Sequence, residues 1–153
     1  MGAKVTIKDQ GLEALKKRLQ AASKVRLTVG VHEDDGAQTY PGGQTVAEVA
    51  SYNELGLGVP RRSFIADWVD ESEAEKRGDL QDVAAGIMTG KDAASGMTSL
   101  GNRYVGQVLD RMSATQPDDP KTVEEKGSSE PLDDSGKLRS AIKSRVTSGT
   151  AKP

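Results

Sequence analysis

The chain has 153 residues, of which 35% are hydrophobic and 29% charged, and carries a net charge of -2 at pH 7. That length suits one domain with one core, and the near-neutral charge gives no overall bias towards nucleic acid or anionic lipid. The absence of cysteine excludes a disulfide framework and a thiolate metal site, and no apolar run approaches the roughly 18 residues of a membrane span.

The opening "MGAKVTIKDQ" has no apolar stretch after its basic residue, so no secretory signal is expected, and Met1-Gly2 alone is a non-specific myristoylation signal. These features together predict a soluble protein of a reducing compartment. Val5 and Ile7 alternate with Lys4, Thr6 and Lys8, which predicts a short strand, and Asp9 stands where it can cap the next element. Leu12, Leu15 and Leu19 then repeat at i, i+3 and i+7 with Lys16, Lys17 and Arg18 opposite, the pattern of an amphipathic helix ending near Ala22. Val25, Leu27, Val29 and Val31 alternate again and predict the clearest strand in the chain.

From Asp34 to Gly43 the run "DDGAQTYPGG" predicts a loop. Thr45 with Glu48 three residues on forms a capping box for a helix carrying Val46, Val49 and Ala50. Gly56 and Gly58 end that helix, and Pro60 imposes an extended approach to the next. Ser63 is expected to cap one long helix from Phe64 to about Met88, with the charged "DESEAEKRGD" turn projecting from the body. "TGKD" breaks it, and a further helix is predicted from about Ala93 to Met112 on Met97, Leu100, Tyr104, Val105, Val108 and Met112. The proline-bearing run after Ser113 predicts an arm. Asp134 or Ser135 then caps "GKLRSAIKSRV", where Leu138 and Ile142 share a face, and "KSRVTSG" could close as a strand.

Little in the chain points to chemistry. His32 is the sole histidine. A hydrolase built on it with Glu33 or Asp34 would still need a nucleophile and an oriented carboxylate. "EDD" at 33–35 and "DD" at 118–119 and 133–134 lack the spacing of a calcium loop, and "GAQTYPGGQ" lacks both the dinucleotide pattern and the Walker lysine. Arg61 and Arg62 form one basic pair without further cations or stacking aromatics, so an ion pair across a subunit boundary, or with Glu54, fits better than nucleic-acid binding. No catalytic, cofactor-binding or metal residue is expected, and the chain is read as not an enzyme.

The stretch "ASYNELGLGVPRRSFIADW", residues 50–68, holds the sole Phe and sole Trp of the chain. Such concentration predicts a joint at which two helices and the sheet lock together. Its Asn53-Glu54-Leu55-Gly56 step, then Val59-Pro60, Arg62, Ser63, Phe64 and Ile65, is followed later by Leu132, Asp134, Ser135, Gly136, Leu138, Ser140, Ile142 and Val146. This order resembles the neck and tail-completion proteins of long-tailed bacteriophages over about residues 25–147. Ser63 departs from that pattern, standing where the family often has a second proline. The chain also stops soon after Val146, where relatives often continue.

The resemblance implies an α+β fold, a small mixed or antiparallel sheet packed by two longer helices plus short ones. One domain would span residues 1–147, with extended loops near 33–44 and 115–134 and a tail at 148–153. It implies assembly residues at Asn53, Glu54, Gly56, Pro60, Arg61, Arg62, Phe64, Trp68, Asp134, Gly136 and Leu138. It further implies a homo-oligomeric ring, hexamer before dodecamer, at the head–tail junction of the virion, made in the host cytoplasm. Such a ring contacts the portal connector and tail proteins and passes genomic DNA without reading its sequence. A tail-terminator ring, or a protein-binding module outside any virion, is the alternative.

Overall fold

The computed structural model describes residues 10–115 and 136–149, together with Glu124. The strand expected at residues 4–8, the arm from residue 116 onwards, and the predicted caps Asp9, Asp134 and Ser135 lie outside the described residues. The elements run α1 (Gln10–Ala22), β1 (Val25–Val31), α2 (Glu33–Gly36), α3 (Val46–Leu55), α4 (Ala66–Glu71), α5 (Glu73–Met88), α6 (Ala93–Ser113), α7 (Lys137–Ala141) and β2 (Ile142–Ser148). The class is α+β, with a two-stranded antiparallel sheet among the described residues.

The sheet joins the first predicted strand to the last, pairing Val25 with Ser148 and Val31 with Ile142. β2 thus runs one residue past the domain limit expected at 147. This register places Leu27, Val29 and Val31 on one face with Ile142, Ser144 and Val146, since side chains alternate along a strand. α6 packs on that face. Its buried positions Leu100, Gly101, Tyr104, Val108 and Met112 recur every three or four residues, as a helix with one packed side requires. Asp92 begins it by accepting the backbone N–H of Ser95 at 2.7 Å. The core gathers Val46, Phe64, Val108, Met112, Leu138, Ala141 and Ile142, so α3, the turn before α4, α6, α7 and β2 all contribute.

Several expected elements take a different form. The long helix from Phe64 to Met88 is two helices parted at Ser72, with Phe64 and Ile65 in the preceding turn. The Ser72 hydroxyl donates to the Trp68 carbonyl, and the Lys76 ammonium donates to the Val69 carbonyl at 2.5 Å. Side-chain donors at this seam compete with the amides that would continue the ladder. The "DESEAEKRGD" turn does not project bodily: Lys76 lies 4.4 Å from the Trp68 ring centre, and Asp79 turns towards α6 to pair with Arg103.

The loop expected at 33–44 begins as α2, whose three carboxylates suit a helix N-terminus. It continues into a bridged turn in which Tyr40 N–H donates to Gln44 O and Val46 N–H to Gln38 O, both at 2.8 Å. On α1, Leu12 and Leu19 of the expected packing face are exposed, whereas Arg18 of the expected polar side donates to the Met88 carbonyl at the end of α5 at 2.9 Å. Finally, "GKLRSAIKSRV" is helical only to Ala141; Leu138 and Ile142 are both buried as expected, but Ile142 begins β2.

Gly101 sets the distance between α6 and the sheet. A Cβ there would stand 2.7 Å from both Leu27 Cδ1 and Ser144 Cβ. In an open helix, Gly→Ala stabilises by about 1 kcal/mol. At Gly101 the overlap should outweigh that, giving a net loss of about 1–3 kcal/mol. Gly106, on the same helix, would meet nothing within 4 Å. Denaturant unfolding should therefore move in opposite directions for Gly101→Ala and Gly106→Ala. Equal shifts would refute the close approach.

Candidate functional site

The Asn53–Trp68 stretch is built around Glu54, in the last turn of α3. Thr45 starts that helix with the expected capping box: Glu48 N–H donates to the Thr45 hydroxyl at 3.2 Å, and Thr45 N–H to the Glu48 carboxylate at 2.7 Å. Gly56 stops it in the left-handed conformation, φ 72°, and the Leu57 N–H reaches back to the Tyr52 carbonyl at 2.9 Å. A Cβ at Gly56 would also come within 3.0 Å of Arg61 Cβ, so both conformation and space favour glycine. Asn53 binds the turn with its main chain, accepting the Arg62 N–H at 2.8 Å, while its side-chain amide donates to Val49 O within α3.

The Glu54 carboxylate then meets the start of α4. It accepts the Ser63 hydroxyl at 2.8 Å and the backbone N–H groups of Phe64 at 2.9 Å, Ile65 at 3.2 Å and Ala66 at 2.7 Å. The first amides of a helix have no partner within it, and their dipoles point at an anion. From a different helix, Glu54 satisfies the amides of Ala66 and of the two turn residues before it, and Ser63 adds a further contact by accepting the Asp67 N–H at 3.2 Å. Burial pushes the Glu54 carboxyl up, but the hydrogen bonds from Ala66, Phe64, Ser63 and Ile65 together outweigh it and leave the carboxyl below its ordinary value.

Arg61 does not take Glu54, one of the two partners expected for the arginine pair. Arg61 bonds Asp67 at 2.9 Å, and Asp67 also meets Arg111 of α6 at 3.4 Å, which in turn pairs with Glu71 at 2.8 Å. Phe64 is fully buried in the core. Trp68 packs edge-on against Tyr104 of α6 with centroids 5.2 Å apart, and its indole N–H donates to Gln107 at 3.1 Å. Its anchor is therefore α6. Burial, then Asp79, pushes the Tyr104 hydroxyl up to about 12. Pro60 is exposed on the approach to this turn.

The later motif reaches the same core. Gly136 precedes α7 with φ 69°, and its carbonyl accepts the Ser140 N–H at 2.9 Å. Leu138 is buried beside Phe64, and Lys137 crosses to the Thr39 carbonyl at 2.6 Å. Asp134 lies outside the described residues. The two separated stretches thus converge on one packed body.

His32 stands at the end of β1 with Nε2 3.0 Å from the Thr28 hydroxyl, while Nδ1 is buried without a hydrogen-bond partner among the described residues. Burial and then Arg145 lower its pKa against the opposing pull of Asp35 and Asp34. Those carboxylates are taken by Arg145 on Asp34 at 2.9 Å and Lys143 on Asp35 at 2.5 Å, which tie α2 to β2. Among the described residues no carboxylate is hydrogen-bonded to the ring as a triad requires. The unforeseen residues are Asp67, Arg111, Lys143 and Gly101. Of these only Gly101, a glycine inside an apolar helical stripe, had a signal in the sequence. Compared with protein-family models, curated proteins and solved structures, the chain finds no match in any of the three.

Removing the Glu54 charge should loosen the joint without unfolding the chain. Glu54→Gln is expected to cost about 1–2 kcal/mol, since the carboxylate is partly open to water and its bonds are screened there. Because the folded pKa lies below the ordinary 4.5, this contribution is complete above about pH 4.5 and is lost as pH falls through the lower folded value. Wild type and Glu54→Gln should thus differ in urea midpoint at pH 7 and converge at lower pH. A constant gap across that range would refute the role of the ionised form.

Proposed function

We propose that this chain is a ring-forming structural protein of a long-tailed phage, seated at the head–tail junction as a neck component, where it joins the portal connector to the tail and lets DNA pass. The observation that carries this reading is the use of the family-like residues. Asn53, Glu54, Gly56, Ser63 and Phe64 build a rigid joint, and Gly136, Leu138 and Ile142 complete the core that Phe64 enters. A motif serving chemistry would present its polar groups to a cleft; here those of Asn53, Glu54 and Ser63 are taken up by backbone groups and by one another. Such a joint suits a subunit that must present fixed surfaces to several neighbours at once, because order already present in the free chain need not be imposed at assembly. No described helix is long and apolar enough to cross a membrane.

Mass spectrometry and cryo-electron microscopy of particles from the source of this sequence test the reading. The expected result is this chain as a closed ring, six-fold by preference, between portal and tail. Its position there separates a neck component from a tail terminator. Absence of the chain from the particle would overturn the reading in favour of a protein-binding module.

A further inference from the structure

We propose that neighbouring copies meet head to tail, with α1 of one copy lying on the α4–α5 surface of the next. This inference rests on the ring reading and assigns its contact. On α1, Leu12 and Leu19 are 60% and 47% exposed and line an open groove of about 540 Å³ with Leu15 and Lys16. The helix and the residues just after it carry Lys16, Lys17, Arg18 and Lys24 against Glu13 alone. Among the described residues, Lys16, Lys17 and Lys24 take part in no ion pair.

The α4–α5 surface has the opposite character. Between Asp67 and Asp82 stand seven carboxylates against Lys76 and Arg77. Arg61, Arg103 and Arg111 reach in from neighbouring elements to Asp67, Asp79 and Glu71. Asp70, Glu75 and Asp82 are left without an ion pair among the described residues, and Val69 in their midst is 42% exposed. Each surface therefore combines exposed apolar side chains with one unbalanced sign of charge, and the signs are complementary.

The same charges select the geometry. A two-fold contact of the α1 groove with itself would bring Lys16 of both copies together, and α4 with α4 would oppose Asp70 to itself. Only the unlike pairing brings opposite charges together. A contact between two different patches of one chain leaves both patches free at the ends of a dimer, so it propagates until the rotation closes a ring.

Carbodiimide cross-linking of an equal mixture of unlabelled and ¹⁵N-labelled full-length chain tests this, because mixed-isotope peptides report only contacts between copies. The expected links join Lys16, Lys17 or Lys24 to Asp70, Glu71, Glu73 or Glu75, and weaken with salt. The chain with Lys16→Glu and Lys17→Glu should lose at least ten-fold of the remaining links, and so should the chain with Asp70→Lys and Glu73→Lys. Mixing these two chains should restore association, with new links joining positions 16 and 17 of one to positions 70 and 73 of the other. All four positions are exposed, and circular dichroism checks that the fold is kept. Absence of mixed-isotope links between these surfaces, links of α1 to α1, or no restoration on mixing would each overturn the contact. A ring found in the particle without these links would sink this contact and keep the neck reading; these links in a chain absent from the particle would do the reverse.

Discussion

One carboxylate fixes how the two halves of this chain meet. Glu54 belongs to α3, yet its acceptors are spent on the amides at the start of α4, so that start is incomplete without α3. The turn between them, with exposed Leu55, Leu57 and Val59, buries too little apolar surface to hold its own shape. Its shape comes instead from the left-handed stop at Gly56, the Arg62-to-Asn53 main-chain bond and this carboxylate. With the start of α4 set, Phe64 is carried into the core and Trp68 onto Tyr104, and α6 is placed from both sides.

α6 then transmits that placement to the sheet. Its glycine at 101 lets the helix backbone settle against Leu27 and Ser144, and its lower turns bring Val108 and Met112 to Phe64 and Leu138. Around this packed centre the ionic links work at the periphery: Asp67 bridges Arg61 and Arg111, and Lys143 and Arg145 hold α2 to β2. The two described strands would be marginal by themselves, and the helix covering one face together with these side-chain ties adds to their stability. The packed centre leaves Leu12 and Leu19 of α1 exposed at the surface.

Much of this was legible from local pattern. Strict alternation gave β1, the Thr45–Glu48 pair gave the start of α3, Gly56 gave its end, and the stripe through Leu100, Tyr104 and Val108 gave α6. What local pattern misses is competition between elements. Nothing in the sequence around Ser72 distinguishes a continuous helix from two, because the break depends on where Lys76 lies relative to Trp68. Glu54 reads as one more charge at a helix end until the amides of residues 64–66 are brought to it by the fold. The leucines of α1 have the right period, but a period states which residues share a face and not which face the rest of the chain will cover. Arg18 illustrates the converse, a cation on a nominally polar side that finds the open carbonyls at the end of α5.

The central claim, that an ionised Glu54 clamps the start of α4, is tested most directly by titrating its side-chain carboxyl by carbon-detected NMR. The expected midpoint lies below the ordinary glutamate value of 4.5, with the amide signals of Phe64, Ile65 and Ala66 moving in the same titration. A midpoint at or above 4.5, with those amides indifferent to it, would contradict the clamp and with it the joint on which the fold is argued to turn.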